Sequence, residues 1–123
     1  MSILPYVQQF VGTAGVVKVS WLGLKNGDTG APFTGVAGSR VTVQVTGTYG
    51  AGGTALIEGS NNGLADVSPT WFTLSAEPTG VPINTGGDIF AKILENPHMV
   101  RPNITAGDAA TTIDVRMTIA ALM

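Results

Sequence analysis

Arg40-Val41-Thr42-Val43-Gln44-Val45-Thr46 alternates without a break, three valines against polar neighbours. Side chains of an extended chain point to opposite faces with a period of two, so this run is a strand with one face in a core and the other in water. Thr112-Ile113-Asp114-Val115-Arg116-Met117-Thr118-Ile119 repeats the pattern, with Ile113, Val115, Met117 and Ile119 on the core face and Asp114 and Arg116 outward. These two runs set the fold class.

Shorter stretches agree with them. Val16–Leu24 sets Val17, Val19 and Trp21 against Lys18 and Ser20, and residues 54–59 and 70–75 are rich in the β-branched and aromatic types that fit a pleated surface. Residues 97–105 read as a further strand, with His98, Val100 and Ile104 on one side and Met99, Arg101 and Asn103 on the other. Pro102 lacks an N–H and so confines that strand to a sheet edge or to an interrupted pairing. Between the runs stand turn signals: Asn26-Gly27-Asp28-Thr29-Gly30, residues 47–53, Asn61-Asn62-Gly63, Pro78-Thr79-Gly80 and Ala106-Gly107-Asp108. The spacing predicts an all-β antiparallel β-sandwich, jelly-roll or immunoglobulin-like, of seven to eight strands. One exception is expected over residues 88–95, where Asp88 as a cap and Phe90, Ile93 and Leu94 on one face predict a short helical turn, although Ile89, Ala91 and Ile93 also fit a strand.

The division expected is an N-terminal arm over residues 1–15 and a sandwich domain over residues 16–123. Ile3, Leu4, Tyr6, Val7 and Phe10 are apolar, while Pro5 and the small residues 12–15 separate them from the first long strand. Such a segment needs something to lie on. It is either an edge strand of its own domain or an arm that crosses to a neighbouring subunit, and in the second case residues 1–10 can be removed without unfolding the domain. With the apolar tail, the residues expected at a subunit interface are Ile3, Leu4, Tyr6, Val7, Phe10, Leu122 and Met123.

The chain has 123 residues, 11% of them charged, a formal net charge of −2 and no cysteine. Globular proteins average about 25% charged residues, so much of this surface is uncharged and poorly protected against association. Six basic side chains without any cluster argue against nucleic acid, whose phosphates demand a concentrated positive surface. Thiol chemistry and cysteine-ligated zinc are excluded. No uninterrupted apolar run reaches the length of a membrane span, and residues 1–17 lack the basic start of a signal peptide.

Motifs for catalysis are nearly absent. His98 is the one histidine, without a Gly-x-Ser-x-Gly elbow, and reads as a packed or rim side chain. The glycine-rich residues 47–53 lack the Gly-Lys-Ser/Thr ending of a phosphate loop. Asn26-Gly27-Asp28-Thr29-Gly30 has a single carboxylate, too few for calcium. Asn103-Ile104-Thr105 matches a glycosylation triplet without a secretion signal to make it meaningful. Trp21, Trp71, Phe72 and Tyr49 are candidates for stacking on sugar rings, but Trp21 and Trp71, among alternating neighbours, are expected to fill the space between two sheets. The expectation is a non-enzyme with no cofactor and no metal.

Ala55-Leu56-Ile57-Glu58-Gly59-Ser60-Asn61-Asn62-Gly63, followed by Trp71-Phe72-Thr73-Leu74, resembles a hairpin of small virion proteins of tailed bacteriophages. There a strand ending in Glu-Gly-Ser-Asn, a tight turn and a Trp-x-x-Leu return strand follow one another. Ile93-Leu94-Glu95-Asn96-Pro97, Val100-Arg101-Pro102 and the final alternating strand are similar to the closing half of the same proteins. The chain departs from them at Asn62, where Asp is usual, and in an insertion at residues 64–70. The Ser-Asn-x-Gly hairpin alone also recurs in discoidin-like carbohydrate-binding domains. The phage resemblance implies a capsid decoration, or cement, protein. It would be made in the host cytoplasm and carried on the outer surface of the virion, with the major capsid protein and further copies of itself, a homotrimer before a dimer, as partners. The alternative it leaves open is a virion carbohydrate-binding or host-adhesion module.

Overall fold

The computed structural model describes residues 2–10, 15–34, 39–61 and 69–121. They form thirteen strands: β1 (Ile3–Leu4), β2 (Val7–Phe10), β3 (Val16–Leu24), β4 (Thr29–Gly30), β5 (Phe33–Thr34), β6 (Ser39–Thr48), β7 (Thr54–Ser60), β8 (Phe72–Thr73), β9 (Ala76–Glu77), β10 (Asn84–Thr85), β11 (Ile89–Ile93), β12 (Met99–Ala106) and β13 (Thr112–Ala121). One sheet runs β1-β4-β12-β7-β10, with β5 also on β12 and β8 also on β7; the other runs β2-β3-β13-β6-β11-β9. The two pack face to face as a β-sandwich. The count exceeds the seven or eight expected because several pieces have two residues, cut where proline or glycine interrupts a ladder. Pro5 separates β1 from β2, and Ala31-Pro32 separates β4 from β5.

The core comes from the alternating runs. Val41, Val43 and Val45 of β6 meet Ile119, Met117 and Val115 of β13 in register, and Val19 and Trp21 of β3 flank them from the other side. All are buried, against Ala55, Ile57, Val100 and Ile104 of the facing sheet. The ladder of β3 on β13 shifts between Ile113, opposite Leu24, and Val115, opposite Trp21. Two residues of β3 thus oppose the single Asp114. Gly23 takes φ +73° there and donates its N–H to Asp114 Oδ1 at 2.8 Å. That bulge lets Trp21 and Leu24, three apart, both face inward.

Two expectations are corrected, and the two alternatives for Pro102 are resolved. Residues 88–95 form no helical turn: β11 pairs with β6, Ile89 opposite Val45 and Ala91 opposite Val43. The period of two wins because β6 offers an open edge, and Asp88 accepts N–H from Gly47 and O–H from Tyr49, both at 3.2 Å, instead of capping a helix. Trp71 lies outside the core, half-buried. Pro102 does not sit at an edge. β12 runs inside its sheet, and the proline faces the break between β5, paired at Met99 and Val100, and β4, paired at Asn103, so the interrupted-strand alternative holds.

The N-terminal segment takes the edge-strand alternative. β1 pairs in parallel with β4 and β2 antiparallel with β3, so residues 2–10 step from one sheet to the other along one side of the sandwich. Tyr6, at the step, packs edge-on to Trp21 (ring centroids 6.0 Å apart) and Phe33 (5.3 Å). Removing residues 1–10 would strip Tyr6 from those rings.

At one end of the sandwich the β6–β7 and β12–β13 loops are tied together. Asp108 accepts N–H from Ala51 and Ala110, each at 2.9 Å, and Thr111 Oγ1 donates to the Tyr49 carbonyl at 2.8 Å. The amides of Ala51 and Ala110 hold the Asp108 carboxyl below its usual range. Tyr49 is pushed up to about 12 by burial, by the hydrogen bond to Asp88 and by the Asp88 charge. A raised phenol favours the neutral form in the folded state, so its stabilisation is complete below pH 10 and is lost as pH rises toward 12. In a Tyr6→Phe background, phenolate absorbance should titrate near 12 and move part of the way toward 10 in Asp88→Asn. The return is partial because burial, the largest cause, remains; no movement would mean that Asp88 does not act on Tyr49.

Candidate interaction surfaces

The residues expected at an interface have separate fates. Ile3 is 71% exposed and Val7 55%, whereas Leu4 and Tyr6 pack against the core. The Phe10 side chain, Leu122 and Met123 fall outside the described residues. Ile3 and Val7 therefore present apolar surface on the side where the N-terminal segment closes both sheets. Nothing among the described residues covers them.

A second surface is the outer face of the β7–β12 pair. Glu58 stands directly opposite Arg101 and next to Thr73 of β8. Arg101 Nε donates to Glu58 Oε1 at 3.0 Å, with side chains 20% and 11% exposed respectively. The Arg101 guanidinium carbon lies 4.2 Å from the centre of the Trp71 ring, and Asn103 Nδ2 reaches both oxygens of Glu58 at 3.4 Å. Trp71 thus roofs a charged pair, a stacking arrangement that suits the weakly hydrated plane of arginine. The isolated pattern of Trp71 could not have announced this, because its partner Arg101 lies thirty residues on and is placed by the β7–β12 register.

A shallow hollow of about 260 Å³ opens at the end of β7, lined by Gly59, Asn61, Phe72, Leu74, Glu95 and Pro97 among others. Phe72 is 68% exposed there. Asn61 Oδ1 accepts the His98 N–H at 2.8 Å and Glu95 Oε1 accepts that of Ser75 at 2.7 Å. Of the four aromatics considered for sugar stacking, Trp21 is in the core, Trp71 carries Arg101 on its face and Tyr49 is half-buried, which leaves Phe72 as the open ring.

The residues weighed for chemistry are otherwise occupied. The Asp28 carboxylate accepts N–H from Ser2 at 3.1 Å and Lys25 at 2.9 Å, so it closes its own turn and anchors the N-terminus. His98 is half-buried, and its Nε2 has no hydrogen-bond partner among the described residues. Among those residues no group of three or more His, Asp or Glu converges on a point, and no helix is long and apolar enough to cross a membrane. Compared with protein-family models, curated proteins and solved structures, the chain finds no match in any of the three.

Proposed function

We propose that the protein is a structural component of a bacteriophage virion that decorates and cements the outer capsid surface by bridging major capsid subunits. The observation that carries this reading is the pairing of a charge-poor chain, 11% charged, with apolar side chains left uncovered along the N-terminal side, Ile3 above all. Bridging requires no chemistry. It requires many modest contacts repeated over a lattice, where each copy touches several subunits and avidity supplies the strength. A rigid sandwich with its N-terminal segment bound into both sheets suits that load, because force applied at β1 or β2 is shared by two ladders of hydrogen bonds.

The test is sedimentation of the purified chain with empty shells assembled from the major capsid protein of the same genome. Stoichiometric binding is expected. Ile3→Asp keeps the backbone pairing of β1 with β4 and should weaken binding at least about tenfold, since a buried isoleucine contributes roughly 1.5–3 kcal/mol, with an unchanged melting temperature. Absence of binding by the unaltered chain would overturn the proposal. Binding to a glycan array instead, lost in Phe72→Ala, would favour the carbohydrate-binding alternative at the hollow beside Asn61.

A further inference from the structure

The sandwich has two open sides, and the strands along them differ in how they are protected. β1, β5, β8, β9 and β10 each contain two residues. Pro5 follows β1, Pro32 precedes β5, Pro82 lies just before β10, and β9 carries Glu77, paired with Lys92 at 3.6 Å, and ends at Pro78. Short length, proline and charge are the devices by which natural sheets blunt an edge. β2 is twice as long and carries neither proline nor charge within it, although Pro5 stands two residues before it as Pro82 does before β10. Among the described residues Val7-Gln8-Gln9-Phe10 is the longest of the strands that end a sheet, and it pairs on one flank, with β3. The first charged residue of the chain is Lys18. Val7, Gln8 and Gln9 are all exposed.

We infer that the β2 edge is a self-association site, where β2 of a second copy pairs antiparallel across a two-fold axis and joins the two six-stranded sheets into one. The geometry restricts the register. The N–H and C=O groups that point off an edge come from every second residue, and in an antiparallel pair they must face one another. When a strand pairs with itself, residues of equal parity are therefore opposed, so the axis passes through a residue and not between two. Centring the four residues leaves two choices, Gln8 opposite Gln8 or Gln9 opposite Gln9. Either puts a glutamine pair on the axis, whose amides both donate and accept. No like charges meet. Lys18, one strand in on each copy, lies three strand spacings from its equivalent, about 14 Å, beyond the screening length of about 8 Å at physiological salt.

The same contact selects a dimer over the trimer expected from the phage resemblance. A ring of three would need β2 to pair with a different edge, and among the described residues the others offer two-residue strands or the three residues 89–91 of β11 that β9 leaves open. This self-contact deepens the structural role proposed above, yet it is read with no shell present, so its failure and the failure of shell binding are separate results.

The test uses the absence of native cysteine. Gln8→Cys, Gln9→Cys and a control, Thr118→Cys in the middle of the outer face of the β2-β3-β13-β6-β11-β9 sheet, are each oxidised mildly at a concentration where light scattering gives the mass. The unaltered chain should change from monomer to dimer between about 1 and about 500 µM, a range set by so short a pairing. One of the two glutamine positions should crosslink to near completion, because directly opposed Cα atoms lie about 4.5–5.5 Å apart, within disulfide reach, and at least about tenfold faster than position 118. Gln8→Lys with Gln9→Lys should remain monomeric. If that variant fails to fold, the cysteine rates still decide. A monomer throughout the range, a trimer, or crosslinking at 8 and 9 no faster than at 118 would overturn the inference.

Discussion

Trp21→Ala is expected to destabilise the protein by about 3–5 kcal/mol, the range for deleting a large buried aromatic. Trp21 is fully buried. It donates Nε1–H to the Ala31 carbonyl at 3.0 Å and supports the Tyr6 ring. Gly30 has no room for a Cβ because the indole and Pro102 already occupy the space, so the tryptophan fills the gap where β4 gives way to β5. Its removal leaves a cavity, an unpaired carbonyl and a loosened N-terminal segment together. Against a typical total of about 5–15 kcal/mol, that loss takes a marginal domain to the edge of unfolding. Urea denaturation followed by circular dichroism measures it, and Trp21→Phe should recover part of the loss. A change below about 1 kcal/mol would show that the indole is not the wedge between the sheets.

The second large effect is expected from Glu58→Ala. The carboxylate is shielded under Trp71 and satisfies Arg101 and Asn103. Taking away one member of a sheltered pair strands the other's charge, at a cost of about 3–5 kcal/mol for a fully buried pair and about 2–3 here, where both partners retain some contact with water. Arg101→Ala should be similar, and the double variant should be milder than the sum of the two. A double-mutant cycle with a coupling energy of at least about 1 kcal/mol is the expected result. Strictly additive losses would mean that Glu58 and Arg101 act independently. Trp71 fluorescence gives a second readout, because its ring loses the guanidinium in the arginine variant.

These two sites show where reading a sequence succeeds. Trp21 was assignable to the core because it alternates with Lys18 and Ser20 along β3, and period-two alternation reports which face is dry. The strands β6 and β13 were equally plain. Trp71 sits in a run that looks similar but lies just before the two-residue strand β8, and its ring meets Arg101 of β12 on the far side of β7, so its surroundings were set by register between distant segments. Residues 88–95 failed for a related reason. Ile89, Ala91, Ile93 and Phe90, Ile93, Leu94 satisfy both periods over so short a run, and the choice was made by the unpaired side of β6.

From its own order of residues the chain determined that it would be a β-sandwich with valine and isoleucine faces turned together, that its ionised groups would be few, and that its first seventeen residues would carry no charge. Local alternation and composition carry that information because each depends on near neighbours alone. Tertiary structure decided the rest: that Tyr6 closes the core while Ile3 stays bare, that Glu58 and Arg101 pair beneath Trp71, and that β2, among the described residues, ends its sheet with one flank unpaired. Each of these depends on which strand lies beside which, and that is settled by the burial of the whole core at once.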